Sequence, residues 1–302
     1  MTVPQLATKR IGALGRLLAL FGMVCLVGCN SLGIGRGTSE SDPPPAITVS
    51  PSAGPGKHHY RDSQYVFYSD FPLKTNLPIF KELAEMREQI CKDLQLPPSD
   101  RIIQVFLFED QDRYEKFMRS RHPELPVRRA FFIKQQRTAG GPDDLLVYTY
   151  WGEHVRQDLR HELTHGILHS VLKDVPLWLD EGLAEVFELP PENRGINAGH
   201  LEQVRKNPFT PDLARLEQLS EVKQMQRPEY REAWAWSHFM LRGNAEAKTV
   251  LLAYLQQLRA NNKPGQLLPK LKDAYPKPNE ALITHLEKMD TLRTVRASDD
   301  NR

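Results

Sequence analysis

His161-Glu162-Leu163-Thr164-His165 sets two imidazoles four residues apart, with a carboxylate beside the first. On an α-helix, residues four apart lie one turn above each other on a single face, so both rings can grip one metal ion. Glu162 lies next to them around the helix, within reach of a water held by that metal. At about 100° per residue, Asp158, His161, Glu162, His165 and His169 share one arc, and Val155, Leu159, Leu163, Gly166 and Ile167 share an adjoining one. A helix so patterned packs its apolar stripe into a core and turns the polar stripe to a cleft. The plainer reading is a charged surface stripe.

A second cluster follows in Pro176-Leu177-Trp178-Leu179-Asp180-Glu181-Gly182-Leu183-Ala184-Glu185, and fifteen residues separate His165 from Glu181. The first helix ends near Leu172, Lys173 to Pro176 turn the chain, and a second helix returns past the first, bringing Glu181 to the metal as third ligand. Two His and one Glu leave the fourth zinc position open, as a catalytic site requires. Gly182 removes a side chain where two helices come close. Glu185, one turn after Glu181, is expected to accept a hydrogen bond from the far nitrogen of His161 and fix its tautomer.

HELTH followed by WLDEGLAEVFE resembles the gluzincin metallopeptidases, the clan of thermolysin and the zinc aminopeptidases, and most nearly the bacterial peptidase-MA-like proteins. The likeness covers about residues 65–260, with the sharp motifs in 158–188 and 229–242. It implies a zincin-like fold, Zn2+ as cofactor, peptide or protein substrates, and Glu181 as third zinc ligand. The spacing from His165 to Glu181 is a few residues shorter than in thermolysin. The aminopeptidases also carry a tyrosine that donates to the tetrahedral oxyanion. Tyr230-Arg231-Glu232-Ala233 is similar in position but lacks the Lys-Gly of that motif, so the resemblance nominates Tyr230, with His238 as runner-up. Their Gly-rich exopeptidase motif has no equivalent here. The segment Leu145 to Tyr150 occupies that region and is read instead as the edge strand that pairs with an extended substrate.

These groups need a scaffold. Strand composition marks residues 65–68, 101–108, 129–133 and 145–150. Helical spacing marks 77–96, with Ile79, Leu83, Met86, Ile90 and Leu94 on one side, stopped by Pro97-Pro98. A short helix capped by Asp110 or Asp112 follows. Further helices are expected over about 153–172, 177–188, 212–219, 229–242, 245–260, 264–273 and 278–292. The fold class is therefore α+β, a small mixed sheet plus the active-site helix, followed by a helical C-terminal subdomain. The boundaries are a signal at 1–28, a flexible tether at 29–59, a catalytic subdomain at 60–190, the helical subdomain at 191–295 and a disordered tail at 296–302.

Lys9, Arg10 and Arg16 precede a short apolar run that ends in Leu26-Val27-Gly28-Cys29. This pattern looks like a bacterial lipobox, which implies cleavage before Cys29, lipidation of that cysteine, and a place on the exported side of a membrane in the cell envelope. Ser31 to Lys57 is rich in Gly, Ser and Pro, with too few large apolar residues for a core. Cleavage removes three basic and no acidic residues, leaving 37 basic and 38 acidic residues and a formal charge of −1. No basic surface for nucleic acid is left. Cys91 would be the remaining thiol and reads as a small core residue. His154 and His200 read as surface histidines, His169 as a neighbour of the ligand pair, and Arg128-Arg129 as a solvated pair.

The leading expectation is a membrane-anchored zinc metallopeptidase with Glu162 as general base. Two rivals share the motif: a non-catalytic zincin-fold binding protein of the envelope, and a metal-dependent hydrolase of non-peptide amides.

Overall fold

The computed structural model describes residues 54–137, 140–207, 209–261 and 263–299. The signal segment, Cys29 and most of the expected tether lie outside the described residues. Five strands form one mixed sheet: β1 (His58–Asp62), β2 (Tyr65–Ser69), β3 (Ile103–Phe108), β4 (Ala130–Gln135) and β5 (Asp144–Tyr150). Their order is β1-β2-β3-β5-β4. The two outer pairs, β1 with β2 and β4 with β5, are antiparallel, and β2, β3 and β5 run parallel.

Alternation along the strands decides which helix covers which face. Phe67, Ile103, Val105, Leu107, Leu145 and Val147 are buried on one face. They pack with α1 (Pro78–Asp93) and α3 (Val155–Val171) in the main core. All five apolar positions expected on the first helix are buried. That helix ends before its prolines, with Gln95 in the left-handed region at φ 51°. On the other face the rings of Tyr68, Phe106 and Tyr148 stack across three strands, with centroids 5.2 and 5.0 Å apart. There α2 (Gln111–Arg121) lays Tyr114, Phe117 and Met118 against Phe108, Leu146 and Tyr148. Its cap is Asp110, whose side chain accepts from the Arg113 backbone N–H at 2.9 Å.

The rest is helical: α4 (Leu177–Phe187), α5 (Ala198–Lys206), α6 (Leu213–Leu216), α7 (Arg227–Arg242), α8 (Ala245–Ala260), α9 (Leu267–Ala274) and α10 (Pro278–Asp299). The α+β class with a helical C-terminal region is thus as expected. Among the described residues no helix is long and apolar enough to cross a membrane.

Four expectations need correction. Folded chain begins earlier than Tyr60: Pro55 is buried, and His58 and His59 already pair in β1. The polar composition of HHYRD hid an outer strand that needs only one covered face. At the other end, α10 continues to Asp299, past the expected limit of 295. The segment Leu145 to Tyr150 is not an edge: β5 lies between β3 and β4, so β4 is the edge on that side and β1 the edge on the other. Finally, the close approach at Gly182 is between α4 and α7 rather than between α3 and α4. A Cβ there would overlap the Ala233 carbonyl oxygen and Ser237 Oγ.

Candidate metal centre

The first half of the site comes from α3. Val155, Leu159, Leu163 and Ile167 are buried on the sheet side. A Cβ at Gly166 would stand 3.0 Å from the Ile103 side chain, so the helix lies close to β3. This fixes the adjoining arc, and with it His161, Glu162 and His165, toward α4 and β4. Arg160, buried on the same helix, donates to the Glu188 and Leu189 carbonyl oxygens at 3.1 and 2.7 Å. A cation at those carbonyls satisfies the end of α4 and ties the two helices together.

The other half comes from α4, which starts after Pro176 and carries Glu181 back past α3. Glu181 Oε2 lies 3.5 Å from His161 Nε2 and 3.7 Å from His165 Nε2. The three donor atoms all fall within 4.8 Å of one another. Ligands about 2.0–2.1 Å from a tetrahedral metal stand roughly 3.4 Å apart. The group His161, His165 and Glu181 can therefore hold a metal ion with small adjustments of the side chains.

The outer nitrogen of His161 is hydrogen-bonded as a metal site demands, and that of His165 faces a carboxylate. Glu188 Oε2 lies 2.9 Å from His161 Nδ1, while Gln157 Nε2 donates to Glu188 Oε1 at 2.8 Å. With Nδ1–H donating to Glu188, the lone pair of His161 is left on Nε2. Asp180 Oδ2 lies 3.0 Å from both His165 Nδ1 and His169 Nε2. The His165 contact is off the N–H axis, so its pull is chiefly electrostatic. Phe132 of β4 covers His165 and His169, its ring nearly parallel to theirs at 5.9 and 5.3 Å.

Electrostatics agree with the donor set. Burial works against charge on His165, yet Asp180 and Glu181 outweigh it and push the ring up to about 9. His161 is likewise opposed by burial and carried well above the ordinary range by Glu181 and Glu188. Burial also opposes ionisation of Glu181, but the two rings hold its carboxyl below the usual range. A pocket that stabilises positive charge at this point is one that suits a dication. Glu162 behaves differently: burial raises its carboxyl despite the opposing pull of His161 and His165.

Of the three donors, His161 lines a cleft of about 540 Å³, which it shares with Glu162, Tyr230, Arg128 and Glu185. Tyr230 stands on the first turn of α7, which a capping box between Gln226 and Glu229 starts. Its hydroxyl oxygen accepts from Arg128 Nη2 at 3.2 Å. Burial, with Glu181 nearby, keeps its proton on. So the structure brings Tyr230 to the same cleft as His161 and Glu162.

A family model matches residues 155–264, under the description "Protein of unknown function (DUF1570)". No curated protein matches the chain. The DUF1570 match spans α3, α4 and α7, and so includes all three donors, Glu162, Asp180, Glu188 and Tyr230. Strand β4 and Arg128 fall outside it.

Several sequence readings change here. Glu185 does not reach His161. It pairs with His200 Nε2 at 3.0 Å, and Asn197 Nδ2 lies 3.5 Å away. On a helix, seven residues turn about 700°, which puts Glu188 within ~20° of Glu181, whereas Glu185 lies ~40° to the other side. That i, i+7 relation was the signal in the sequence for Glu188. His238, the runner-up oxyanion donor, is buried elsewhere between His285 Nε2 at 2.9 Å and the Arg194 carbonyl oxygen at 3.2 Å. His200 is half-buried in the cleft rather than on the open surface. Arg129 is not simply solvated, because it holds Asp158 Oδ1 at 2.8 Å.

Proposed function

We propose that this chain is a zinc-dependent metallopeptidase of gluzincin type. One observation carries the reading: His161, His165 and Glu181 converge from two helices, and Glu162 stands beside them against the free edge of the sheet. Zinc bound there would polarise the scissile carbonyl and acidify the attacking water. The chain's own groups do the rest. Glu162 takes the proton of the attacking water on its carboxylate and delivers it to the leaving nitrogen. Its raised pKa brings it closer to the value a base needs near neutrality. Tyr230 directs its O–H at the carbonyl oxygen as negative charge develops there. Asp180 and Glu188 keep the two imidazoles aimed. Strand β4 offers its outer backbone groups to an extended peptide, the role expected of Leu145 to Tyr150.

The test is Glu162→Gln. The variant should hold as much zinc as the parent and lose hydrolysis of an unfolded protein substrate by at least about a hundredfold. Retained turnover in that variant contradicts the mechanism.

The same proposal includes the N-terminal motif. The enzyme would work at the cell envelope, anchored through lipid on Cys29, with peptides or proteins on the exported side as substrates. Cys29→Ser should move the protein from the membrane to the soluble fraction, and persistence at the membrane would contradict the anchor.

A further inference from the structure

Four carboxylates line the cleft, and each is already engaged. Asp158 holds Arg129, Glu185 holds His200, and Glu188 holds His161 and Gln157. Glu162 is attracted by His161 and His165. The cationic side is not balanced in the same way. Arg128 lines the cleft and is exposed, and among the described residues it has no carboxylate partner. Its polar partner is the Tyr230 hydroxyl, at 3.2 Å. A guanidinium cannot shed its charge, and one bond to a hydroxyl leaves most of its five donors unspent.

Its position gives that charge a target. Arg128 lies two residues before Ala130, where the free edge β4 begins. Tyr230, on the first turn of α7, lines the same cleft. The guanidinium thus stands between the strand that would pair with a peptide and the hydroxyl that would face its scissile carbonyl. A substrate group close to that carbonyl would come within reach of Arg128.

We propose that Arg128 binds a carboxylate of the substrate next to the scissile amide, so that this site takes acidic peptides. The proposal rests on the peptidase reading of the cleft. A planar fork matches a carboxylate with two parallel N–H···O bonds, which a lysine cannot do. The carboxylate has two possible sources, an Asp or Glu side chain or the free C-terminus of the peptide.

Peptide hydroxamates test this without turnover, because they bind a zinc site directly. On the zinc-loaded full chain, affinities are compared for two pairs. One pair carries glutamate or glutamine beside the hydroxamate, and the other ends in a free carboxylate or its amide. At least one acidic probe should bind roughly tenfold tighter than its neutral twin. The pair that shows the preference identifies the source. Arg128→Ala should abolish the preference within each pair, and Arg128→Glu should reverse it in favour of a lysine probe. Equal affinities within both pairs, or a preference that survives Arg128→Ala, overturns the proposal. Turnover lost in Glu162→Gln but without acid preference overturns Arg128 alone. Acid-selective binding with no turnover of any peptide supports Arg128 and contradicts the peptidase reading. Absence of hydroxamate binding overturns both.

Discussion

Glu188 Oε2 and His161 Nδ1 lie 2.9 Å apart, and this pair joins the end of one site helix to the middle of the other. It decides which ring nitrogen faces the other donors. The expected consequence is metal affinity. Glu188→Gln should weaken zinc binding about 10–100-fold, as loss of a carboxylate behind a ligating histidine does. Glu185→Gln, which disturbs the His200 and Asn197 contacts and none of the donors, should change it little. Competition with a chelator measures both, and equal losses in the two variants would refute the assignment.

Asp180 serves two rings at once, with Oδ2 3.0 Å from His165 Nδ1 and from His169 Nε2. Asp180→Asn should therefore lower zinc affinity through His165, whereas His169→Gln should have the smaller effect because it removes only one neighbour of the carboxylate. The same chelator titration checks the order, and a larger loss in His169→Gln would reverse the assignment.

The sequence showed the two histidines because their relation is local: four residues on one helix need no knowledge of the fold. Glu181 was legible for a related reason, since a short turn between two helices leaves few routes back. Two of the errors are long-range. Nothing in LLVYTY says that another strand covers its outer side, so β5 was taken for the edge that β4 forms. Gly182 announced a close approach but not its partner, which is α7, some fifty residues on. Glu188 was overlooked because one helical turn was considered where two turns keep the direction better.

Gly182 also yields a stability prediction. Gly182→Ala puts a methyl group into the Ala233 carbonyl oxygen, and backbone cannot rotate away as a side chain can. The helix propensity of alanine would favour the change by ~1 kcal/mol if the site were open. Overpacking should outweigh it and leave a net loss of about 1–3 kcal/mol. Urea unfolding gives the sign directly, and an unchanged or raised midpoint would show that α4 and α7 separate freely.

A pH dependence is expected from the pair that packs α10 on α7. His238 Nδ1 and His285 Nε2 lie 2.9 Å apart. Burial lowers His238 to about 3 and His285 to about 4, with Arg242 and Lys288 acting in the same direction. Above the unfolded value near 6.5 neither state binds these protons. Below it the unfolded chain takes them up and the native state does not, so stability falls as pH drops from 6.5 toward 4. Each ring contributes a slope of at most about 1.4 kcal/mol per pH unit. Denaturation midpoints of the parent and of His238→Gln/His285→Gln, taken at pH 7.5 and 5, should differ in slope, with the parent steeper. Parallel lines would show that the pair does not titrate on unfolding.

The account stands on the three donors closing on one metal ion. Elemental mass spectrometry of the purified protein beside His161→Ala tests this most directly, because it needs no substrate. About one zinc per chain in the parent, lost in the variant, is the predicted result. No zinc in either protein after reconstitution would contradict it and return His161, Glu162 and His165 to the status of a polar helix face.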